Sequence, residues 1–383
     1  MVSIECLASL FMRNEAKKTK MIHSKVDMST IILIPAHNEE KGVTETLKKL
    51  QVEITGNDHI VVVADNCCDK TAEISRRAGA DVIERVAPNL IGKGYALNFG
   101  IEYIRSKYDY DVIVILDADC FFEHGSLSIL SQAAYLKQSP IQATNISLPP
   151  EGKKIKISHK VAQFAWLIKN KIRPLGLTFL KLPVMLTGTG MAFPKAVVLE
   201  MEFDNGHIAE DMLLGINLAK KSIFALFSSD ANVYSYFPND IEAENKQKTR
   251  WVHGHMSIIF ERVPSLLCSA IWKRSMKLMM LAIDLSVLPL VMLTTISVSS
   301  LFIVLGLSLI NEQFYPLFMF MIMAIIVFII SILSSWWFYA RDVLTANELC
   351  MIPVVVFTKI SIYLSFFYKR QKRWLRTSRD TKE

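Results

Sequence analysis

The sequence predicts an α/β domain built on a mostly parallel sheet, followed by a C-terminal transmembrane hairpin and an interfacial helix. Two observations predict this architecture. Up to about residue 275, short apolar runs alternate with stretches of helical periodicity, as strands and helices do in a parallel sheet. From Leu278 to Tyr368 the chain consists mainly of Leu, Ile, Val, Met and Phe. We therefore divide the 383 residues into an N-terminal arm (1–28), a cytosolic domain (29–275) and a membrane domain with a basic tail (276–383).

The first half of the cytosolic domain has a regular order of strands and helices. The predicted strands are Ile31–Pro35, Ile60–Ala64, Ala80–Glu84 and Val112–Leu116, and the predicted helices are Glu39–Leu50, Thr71–Ala78 and Lys93–Ser106. Unbroken apolar runs such as Ile31–Pro35 are typical of strands that are buried on both faces of a parallel sheet. Ligands of such sheets bind beyond the carboxyl ends of the strands. The polar residues that directly follow each strand are therefore candidates for a binding site.

Three polar clusters occupy these positions. They are His37–Glu40 after the first strand, Asp65, Asn66 and Asp69 after the second, and Asp117-Ala118-Asp119 after the last. Asp and Asn at such places also form turns and helix N-caps, which is the alternative interpretation of each cluster alone. Three clusters at one edge of one sheet indicate a shared binding site.

The carboxylates of Asp117 and Asp119 also suit a hard divalent cation. Mg²⁺ or Mn²⁺ is typically held by one or two carboxylates together with substrate phosphates. Such a cation would neutralise a nucleotide diphosphate as it leaves. The alternative is a pair of solvated turn carboxylates, and the spacing alone does not decide between the two.

The C-terminal region contains two apolar stretches that are long enough to span a bilayer. In the first, Leu278–Ile310, we expect the turns around Asp284 to lie in the interface and the span to run over Pro289–Ile310. The second span is Pro316–Phe338. The segment Cys350–Tyr368 is predicted as an interfacial amphipathic helix, with a third span as the alternative. A buried hairpin of a soluble protein is the competing interpretation of the whole region.

Composition excludes an intrinsically disordered chain and argues against a wholly soluble protein, because 51% of the residues are apolar and 21% are charged. The 43 Lys and Arg residues exceed the 36 Asp and Glu residues, which gives a net charge of +7. Much of the excess follows Tyr368, where a basic tail suits an anionic leaflet. A nucleic-acid-binding arm is the alternative. Because the tail directly follows a hydrophobic segment, we favour membrane lipid as the partner and expect no nucleic acid.

The charges also predict the orientation of the hairpin. Lys and Arg flank it on both sides, whereas the turn Asn311–Gln313 between the spans has neither. The positive-inside rule then places both ends of the hairpin and the N-terminal domain in the cytoplasm. The six cysteines include no CxxC pair, which fits a reducing compartment.

Eight segments carry a family resemblance, and they follow one another in order over residues 30–379. They are Ile31–Glu40 (IILIPAHNEE), Val61–Thr71 (VVVADNCCDKT), Lys93–Asn98 (KGYALN), Asp117–Asp119 (DAD), Thr187–Gly190 (TGTG), Glu210-Asp211, Gln247–Trp251 (QKTRW) and Trp374–Arg379 (WLRTSR). In this order they resemble the family 2 inverting glycosyltransferases of GT-A (Rossmann-like) fold, specifically the membrane-bound, cellulose-synthase-like bacterial group. Most of the segments are modest signals alone, but the ordered set is specific.

The resemblance implies a nucleotide-diphosphate sugar as donor, most often a UDP-sugar. It implies that Asp65 contacts the base, and that Pro35, Ala36 and Glu39 surround the base and ribose. Lys93 would lie near the diphosphate or base. Asp117 would contact the ribose or the metal environment, and Asp119 would bind the Mg²⁺ or Mn²⁺ ion.

The resemblance also implies how the sugar is transferred. Asp211 would take the proton of the acceptor hydroxyl, and Arg250 would stabilise the leaving diphosphate. Trp251 would form a flat apolar wall for an acceptor sugar, and Gln247 completes the same QxxRW motif. The acceptor side is further assigned to Gly188, Thr189, Gly190 and Glu210. On spacing alone, Glu210 and Asp211 also fit the acidic first turn of a helix, which the helix dipole favours.

Two further features allow more than one interpretation. His253 and His255 are metal ligands, diphosphate contacts or residues at the interface between the domain and the membrane. The basic stretch Lys153–Lys160 is a surface loop or an interfacial helix that places an acceptor lipid.

The predicted function is transfer of a sugar to a lipid-linked or polysaccharide acceptor, in exopolysaccharide or glycolipid assembly. The enzyme would be a multi-pass protein of the bacterial cytoplasmic membrane, with polysaccharide-assembly proteins as further partners. The alternatives are a processive polysaccharide synthase subunit and a catalytically idle assembly partner. A dinucleotide oxidoreductase is excluded because the turn Ala36–Glu39 contains no GxGxxG after the first strand.

Overall fold

The computed structural model describes residues 1–16, 27–149, 155–203, 206–238 and 241–371. The strands are β1 (Thr30–Ala36), β2 (His59–Asp65), β3 (Asp81–Arg85), β4 (Val112–Ile115), β5 (Phe121–Phe122), β6 (Ile141–Leu148), β7 (Met191–Pro194) and β8 (Leu226–Tyr236). The helices before residue 240 are α1 (Val2–Ala16), α2 (Val43–Gln51), α3 (Thr71–Arg77), α4 (Lys93–Lys107), α5 (Ser126–Lys137), α6 (Ile157–Leu167), α7 (Arg173–Phe179), α8 (Lys195–Val198) and α9 (Glu210–Lys220). The later helices are α10 (Ile241–Glu261), α11 (Val263–Trp272), α12 (Met276–Leu285), α13 (Leu290–Ile310), α14 (Tyr315–Tyr339), α15 (Ala346–Leu349) and α16 (Ile352–Tyr368). A π-helical turn over Ile168–Ile172 joins α6 to α7, and a 3₁₀ turn over Glu312–Phe314 precedes α14.

All eight strands form one mixed sheet in the order β3-β2-β1-β4-β7-β6-β8-β5. The first four are parallel, with Leu33 of β1 opposite Val61 of β2 and Ile115 of β4. Strand β7 runs antiparallel to both β4 and β6, β8 is parallel to β6, and β5 is antiparallel to β8. The predicted order of parallel strands and helices is confirmed. The antiparallel second half makes the sheet mixed.

The apolar strands are buried because helices cover both faces of the sheet. On one face, Leu33 and Val63 pack against α4; on the other, Ile32 and Val62 pack against α2. Alternate residues of each strand therefore face different helix layers, which is why the strands read as unbroken apolar runs. This arrangement leaves the carboxyl ends of β1, β2 and β4 together at one edge.

The N-terminal segment, predicted as an arm, begins with helix α1, which packs against α7 and α14. Arg173 of α7 connects this helix to α12, because its guanidinium donates to Glu5 at 2.5 Å and also to the carboxylate of Asp284. Asp284 is only 2% exposed. Helix α12 packs against the globular domain, and Arg173 compensates the buried charge of Asp284. That the turns around Asp284 lie in a membrane interface stays a prediction.

Helices α13 and α14 are, by length and composition, the two helices of the described residues that could cross a membrane. Their side chains are largely exposed and apolar, as a lipid-facing surface requires. The last helix, α16, has 17 residues and packs against α10 and α13. The segment Trp374–Arg379 and most of the basic tail lie outside the described residues, as does the start of the basic stretch Lys153–Lys160.

Candidate active site

The strand ends and the first turn of α4 line the first part of a cleft, which we call the donor half. Its lining includes Pro35, Ala36, Glu39, Asp65, Lys93, Asp117 and Asp119, all of which were predicted from sequence. Pro35, Ala36, Glu39, Asp65, Asp117 and Asp119 lie at or just after the ends of the parallel strands β1, β2 and β4, and Lys93 begins α4, which follows the parallel strand β3. The predicted donor residues therefore share one pocket.

Asp65 is held in place by neighbours at the end of β2. Its carboxylate lies 2.5 Å from the guanidinium of Arg85, and both side chains are largely buried. Asn66 also donates to this carboxylate, at 3.1 Å. The ring of His37 contacts the Asp65 carbonyl oxygen at 2.7 Å and so ties the β1 turn to the β2 turn. The position of the Asp65 carboxylate is thus determined by β2, β3 and the first turn.

The donor set at the end of β4 fits Mg²⁺ or Mn²⁺. One ligand atom from each of Asp117, Asp119 and Cys120 lies within 4.8 Å of the others. Burial, first of all, raises the pKa of the Cys120 thiol. Hard cations prefer oxygen ligands, so Asp117 and Asp119 are the candidate ligands. Two carboxylates next to a space for phosphate oxygens match the preference of hard cations.

Lys93 lies at the centre of the cleft. Its ammonium is 2.5 Å from Asp117, 3.9 Å from Glu210, and donates to the Gly188 carbonyl at 2.6 Å. Burial alone would lower the pKa of Lys93, but the neighbouring carboxylates Asp117 and Glu210 outweigh it and raise that pKa above its usual value. Lys93 therefore carries a positive charge between the two halves of the cleft.

The second part of the cleft, the acceptor half, begins at the turn Thr187–Gly190. Gly188 and Gly190 have φ values of +86° and +63°, which strain any other residue. A Cβ on Gly188 would lie 3.1 Å from Asp211, and one on Gly190 only 2.7 Å from Val233. The glycines therefore allow the turn to approach both the Asp211 carboxylate and β8.

A buried glutamine fixes this turn. Gln142 of β6 donates to the Thr189 carbonyl at 2.9 Å and accepts from the Thr187 amide at 2.8 Å. The Thr189 hydroxyl in turn accepts from the Asp117 amide at 3.1 Å. The turn is thereby coupled to the metal-binding segment, a role for Gln142 that sequence analysis missed because no local pattern marks it.

Glu210 and Asp211 form the first turn of α9 and face the cleft. Burial, as the main cause, raises the pKa of Glu210 to about 7, and the adjacent Asp211 raises it further. Burial also raises the pKa of Asp211, against the opposing effect of Lys93. The Met212 amide donates to the Asp211 carboxylate at 2.8 Å and orients it. A buried carboxylate with a raised pKa is a competent proton acceptor.

Helix α10 supplies the QxxRW side chains to the same space. Gln247, Arg250 and Trp251 are three and four residues apart, so they share one face of the helix and line the cleft. Gly254, one turn later, lets α10 approach α9, since a Cβ there would lie 3.3 Å from Ala209. Burial lowers the pKa of Arg250, and Glu210 among other carboxylates opposes this effect. Arg250 thus supplies positive charge opposite the acidic pair.

Several lining residues were not predicted, among them Asn145 of β6, Trp166 of α6, and Lys169 and Asn170 of the π-helical turn. Trp166 packs on Trp251 with ring centroids 4.7 Å apart and donates to the Asn145 carbonyl at 3.0 Å. π-helical turns often occur at functional sites, because the inserted residue redirects side chains. Here the turn places Lys169 and Asn170 in the cleft.

The acceptor half also contains polar atoms that no described residue satisfies. They are the Asn145 side-chain oxygen, both polar atoms of the Asn170 amide, and the Thr187 hydroxyl. Asn145 and Asn170 are 5% and 3% exposed. Buried polar atoms normally have partners, so these groups are candidates for contact with a ligand or an ordered water.

The structure brings the predicted site residues together in one continuous cleft. Lys93, Asp117, Asp119, Gln247 and Arg250 line both halves. Gly190 lies beneath the surface, where its conformation shapes the turn. Two histidines lie outside the cleft at contacts with C-terminal elements: His253 with Ser365 at 3.1 Å, and His255 with the Leu285 carbonyl at 3.0 Å. Of their three interpretations, these contacts favour the interface.

Comparison with known proteins places this arrangement in a family. The sequence model of "Glycosyltransferase like family 2" matches residues 29–254. A 4,4'-diaponeurosporenoate glycosyltransferase of Staphylococcus haemolyticus is 35% identical over 104 residues, which is 26% of each chain. The probable glycosyltransferase YdaM of Bacillus subtilis is 27% identical over 248 residues, which is 60% of this chain and 56% of that one. The chain thus spans between a quarter and about half of the length of these curated relatives.

Among solved structures, a mannosyltransferase from Pyrobaculum calidifontis in complex with GDP-Man and Mn²⁺ is similar over 88% of this chain and 97% of that one, with 12% identity and a TM-score of 0.46. The cellulose-synthase-like subgroup stays a prediction. The family match covers more than half of the 383 residues. Together with the mixed sheet and its strand-end cleft, it shows that the chain belongs to glycosyltransferase family 2 and has the GT-A fold.

Proposed function

We propose that this protein transfers a sugar from a nucleotide-diphosphate sugar, foremost a UDP-sugar, to an acceptor hydroxyl with inversion at the anomeric carbon. One observation carries the proposal: the two halves of the cleft meet at Lys93, Asp117 and Arg250, and Asp211 lines the acceptor half but not the donor half. A donor and an acceptor bound in the two halves would face each other across this point.

The base in this proposal is Asp211. Inversion in a single displacement needs one proton acceptor on the acceptor side. The Met212 amide orients the Asp211 carboxylate, and burial raises its pKa towards the range that suits a base near neutral pH. Its oxygen takes the acceptor proton as the acceptor oxygen bonds to the anomeric carbon.

The leaving group in this proposal is the nucleotide diphosphate. The bond between the anomeric carbon and the diphosphate oxygen breaks, and its electron pair stays on the diphosphate. Lys93 and Arg250 lie where this negative charge develops. Positive groups held in place before the reaction stabilise such charge without reorganisation.

The cation would be held by Asp119 with Asp117, and Mg²⁺ and Mn²⁺ both suit the donor set. When bound, it supplies positive charge to the diphosphate. The protein groups around it determine where the donor sugar lies.

We further propose that α13 and α14 anchor the enzyme in the bacterial cytoplasmic membrane as a multi-pass hairpin with the catalytic domain in the cytosol. Their length and apolar surface support this placement. The acceptor is then a lipid-linked or polysaccharide molecule in exopolysaccharide or glycolipid assembly. A single hairpin hardly encloses a polymer channel, which favours single addition over processive synthesis.

The test uses the full chain in lipid nanodiscs with Mn²⁺ or Mg²⁺ and a panel of nucleotide sugars. We expect release of nucleotide diphosphate from one donor, stimulated by membrane lipid extract and lost in Asp211→Asn. Release by Asp211→Asn at the wild-type rate, or none from any donor despite tight UDP binding, would contradict the proposal; the second result would favour the idle assembly partner.

A further inference from the structure

An apolar cavity of about 170 Å³ lies beside the acceptor half of the cleft. We call it the apolar groove. It lies between α6, α10 and α16 and the segment that connects α12 to α13. Its lining includes Val161, Ala162, Val252, Leu290, Val355 and Tyr363. The surface of the groove is mainly carbon, unlike the polar wall of the acceptor half.

The groove adjoins the catalytic cleft. Trp166, Lys169, Gln247 and Trp251 line both spaces. The tilted ring pair of Trp166 and Trp251 thus forms the boundary between an apolar compartment and the compartment that contains Asp211. An apolar chain bound in the groove would lie next to this boundary.

The groove is also positively charged where it meets polar groups. Lys169 and Lys248 line it, and among the described residues neither ammonium forms a salt bridge or a hydrogen bond. Lys169 lies 5.9 Å from the centre of the Trp166 ring. Lys359 also lines the groove, but its ammonium forms a salt bridge with the Glu244 carboxylate at 3.6 Å. The positive charge of the lysines that line the groove therefore exceeds the negative charge of its single lining carboxylate, Glu244.

A buried ammonium group without a neighbouring anion is energetically unfavourable. Burial first, and then the nearby Lys359, lower the pKa of Lys248 to about 8, although Glu244 opposes this. Lys248 is thus still mainly protonated near neutral pH. A bound anion would stabilise this charge.

The position of the groove relates it to the membrane. Its lining includes Pro289, Leu290 and Val291, where α13 begins. If α13 spans the bilayer, its first turn lies at the membrane surface. A lipid in the adjacent leaflet has its polar head and the first part of its chain at this level.

We propose that the apolar groove binds the chain of a phosphate-bearing lipid that serves as the acceptor, with the phosphate held by the lysines of the groove and the hydroxyl-bearing head past the Trp pair at Asp211. The inference rests on the proposed function and specifies its acceptor class. In the reaction, an O–H bond of the lipid head breaks and its proton goes to Asp211. The freed oxygen bonds to the anomeric carbon as nucleotide diphosphate leaves.

The test measures lipid retention on the purified full chain by native mass spectrometry. The probes are polyprenyl monophosphate, phosphatidic acid and, as a neutral lipid, diacylglycerol. We expect wild type to retain one or both phosphate lipids at least about tenfold better than diacylglycerol. Whichever of the two phosphate lipids is retained more tightly identifies the kind of lipid that supplies the phosphate.

Two variants and a matched control locate the binding. Ala162→Phe fills the groove without touching the catalytic cleft, and we expect it to lose retention about tenfold. Gln163→Phe, on the same helix but outside the groove, is expected to retain the phosphate lipids. Lys248→Gln is expected to weaken retention of the phosphate lipids and leave diacylglycerol unchanged.

The outcomes separate this inference from the proposed function. Equal retention by Ala162→Phe and Gln163→Phe, or equal retention of diacylglycerol and the phosphate lipids by wild type, overturns the groove proposal. Nucleotide release is measured in the same preparations after the donor panel and membrane lipid extract are added, because the phosphate-lipid probes lack the hydroxyl-bearing head that the reaction needs. Absent release with retention intact overturns the function, whereas normal release without lipid retention overturns the groove alone.

Discussion

The donor and acceptor halves of the cleft are built in different ways. The donor half uses residues that directly follow β1, β2 and β4, so short stretches between Pro35 and Asp119 supply nearly all of it. The acceptor half brings together β6, the Thr187–Gly190 turn, α9, α10 and the π-helical turn. A parallel sheet places its own strand ends together, whereas the acceptor half depends on contacts between distant segments. The donor half is therefore expected to tolerate changes in packing that the acceptor half does not.

The largest expected effect is that of Asp211→Asn, which tests whether the two halves act separately. Loss of the base should reduce transfer by about 10³-fold. The dissociation constant for UDP should change little, because Asp211 lies outside the donor half. Calorimetry and a product assay on the same preparation measure both quantities. The control is Asp230→Asn, which makes the same change at an exposed position of β8. If UDP binding weakened in Asp211→Asn but not in this control, the two halves would not act separately.

Asp119→Asn tests the donor half. Removing one of two carboxylate ligands should weaken UDP binding in the presence of Mn²⁺ by about 100-fold, and should have no effect when a chelator is present. Cys120→Ser is the matched control variant, and it is expected to bind UDP normally because hard cations prefer the carboxylate oxygens of Asp117 and Asp119 to a thiol. An equal loss in the serine variant would show that the thiol is a ligand.

Gly190→Ala tests the acceptor half through its backbone. The residue has a φ of +63°, and a Cβ would lie 2.7 Å from Val233. We expect a loss of about 2 kcal/mol in the free energy of unfolding, together with slower transfer. Thermal unfolding measures the first quantity. Gly56→Ala, where a Cβ would meet nothing within 4 Å, should leave both unchanged; a stable, fully active Gly190→Ala would remove the role of the turn.

The pH dependence of transfer gives the smallest effect. Burial raises the pKa of Asp211, and a base must be ionised to accept a proton. The rate should therefore fall as the pH falls, with a midpoint above the usual carboxyl range of about 4. UDP binding should not follow the same curve. The residual rate of Asp211→Asn should lack this acid limb; an identical limb in that variant would assign it to another group.

The same contrast explains what sequence analysis could predict. Strands β1, β2 and β4 were predicted because apolar runs of that length are typical of a buried parallel sheet. Gln247, Arg250 and Trp251 were assigned to the site because the QxxRW segment resembles that of the family. Gln142, Asn170 and the Trp166–Trp251 pair were missed, since each acts through a partner distant in sequence.

Asp284 shows the same limit. Its contact with Arg173 was not predicted, because Arg173 lies more than a hundred residues earlier in the chain. The π-helical turn that carries Lys169 and Asn170 also has no local sequence signature, because one inserted residue changes the direction of side chains without changing composition.

The anomeric configuration of the product tests the central claim most directly. The full chain in nanodiscs is given the donor that supports release, and the product is examined by NMR before and after Asp211→Asn. If the donor and acceptor meet across Asp211 in one displacement, the product has the configuration opposite to that of the donor, and the variant forms none. A product that keeps the donor's configuration would contradict the account.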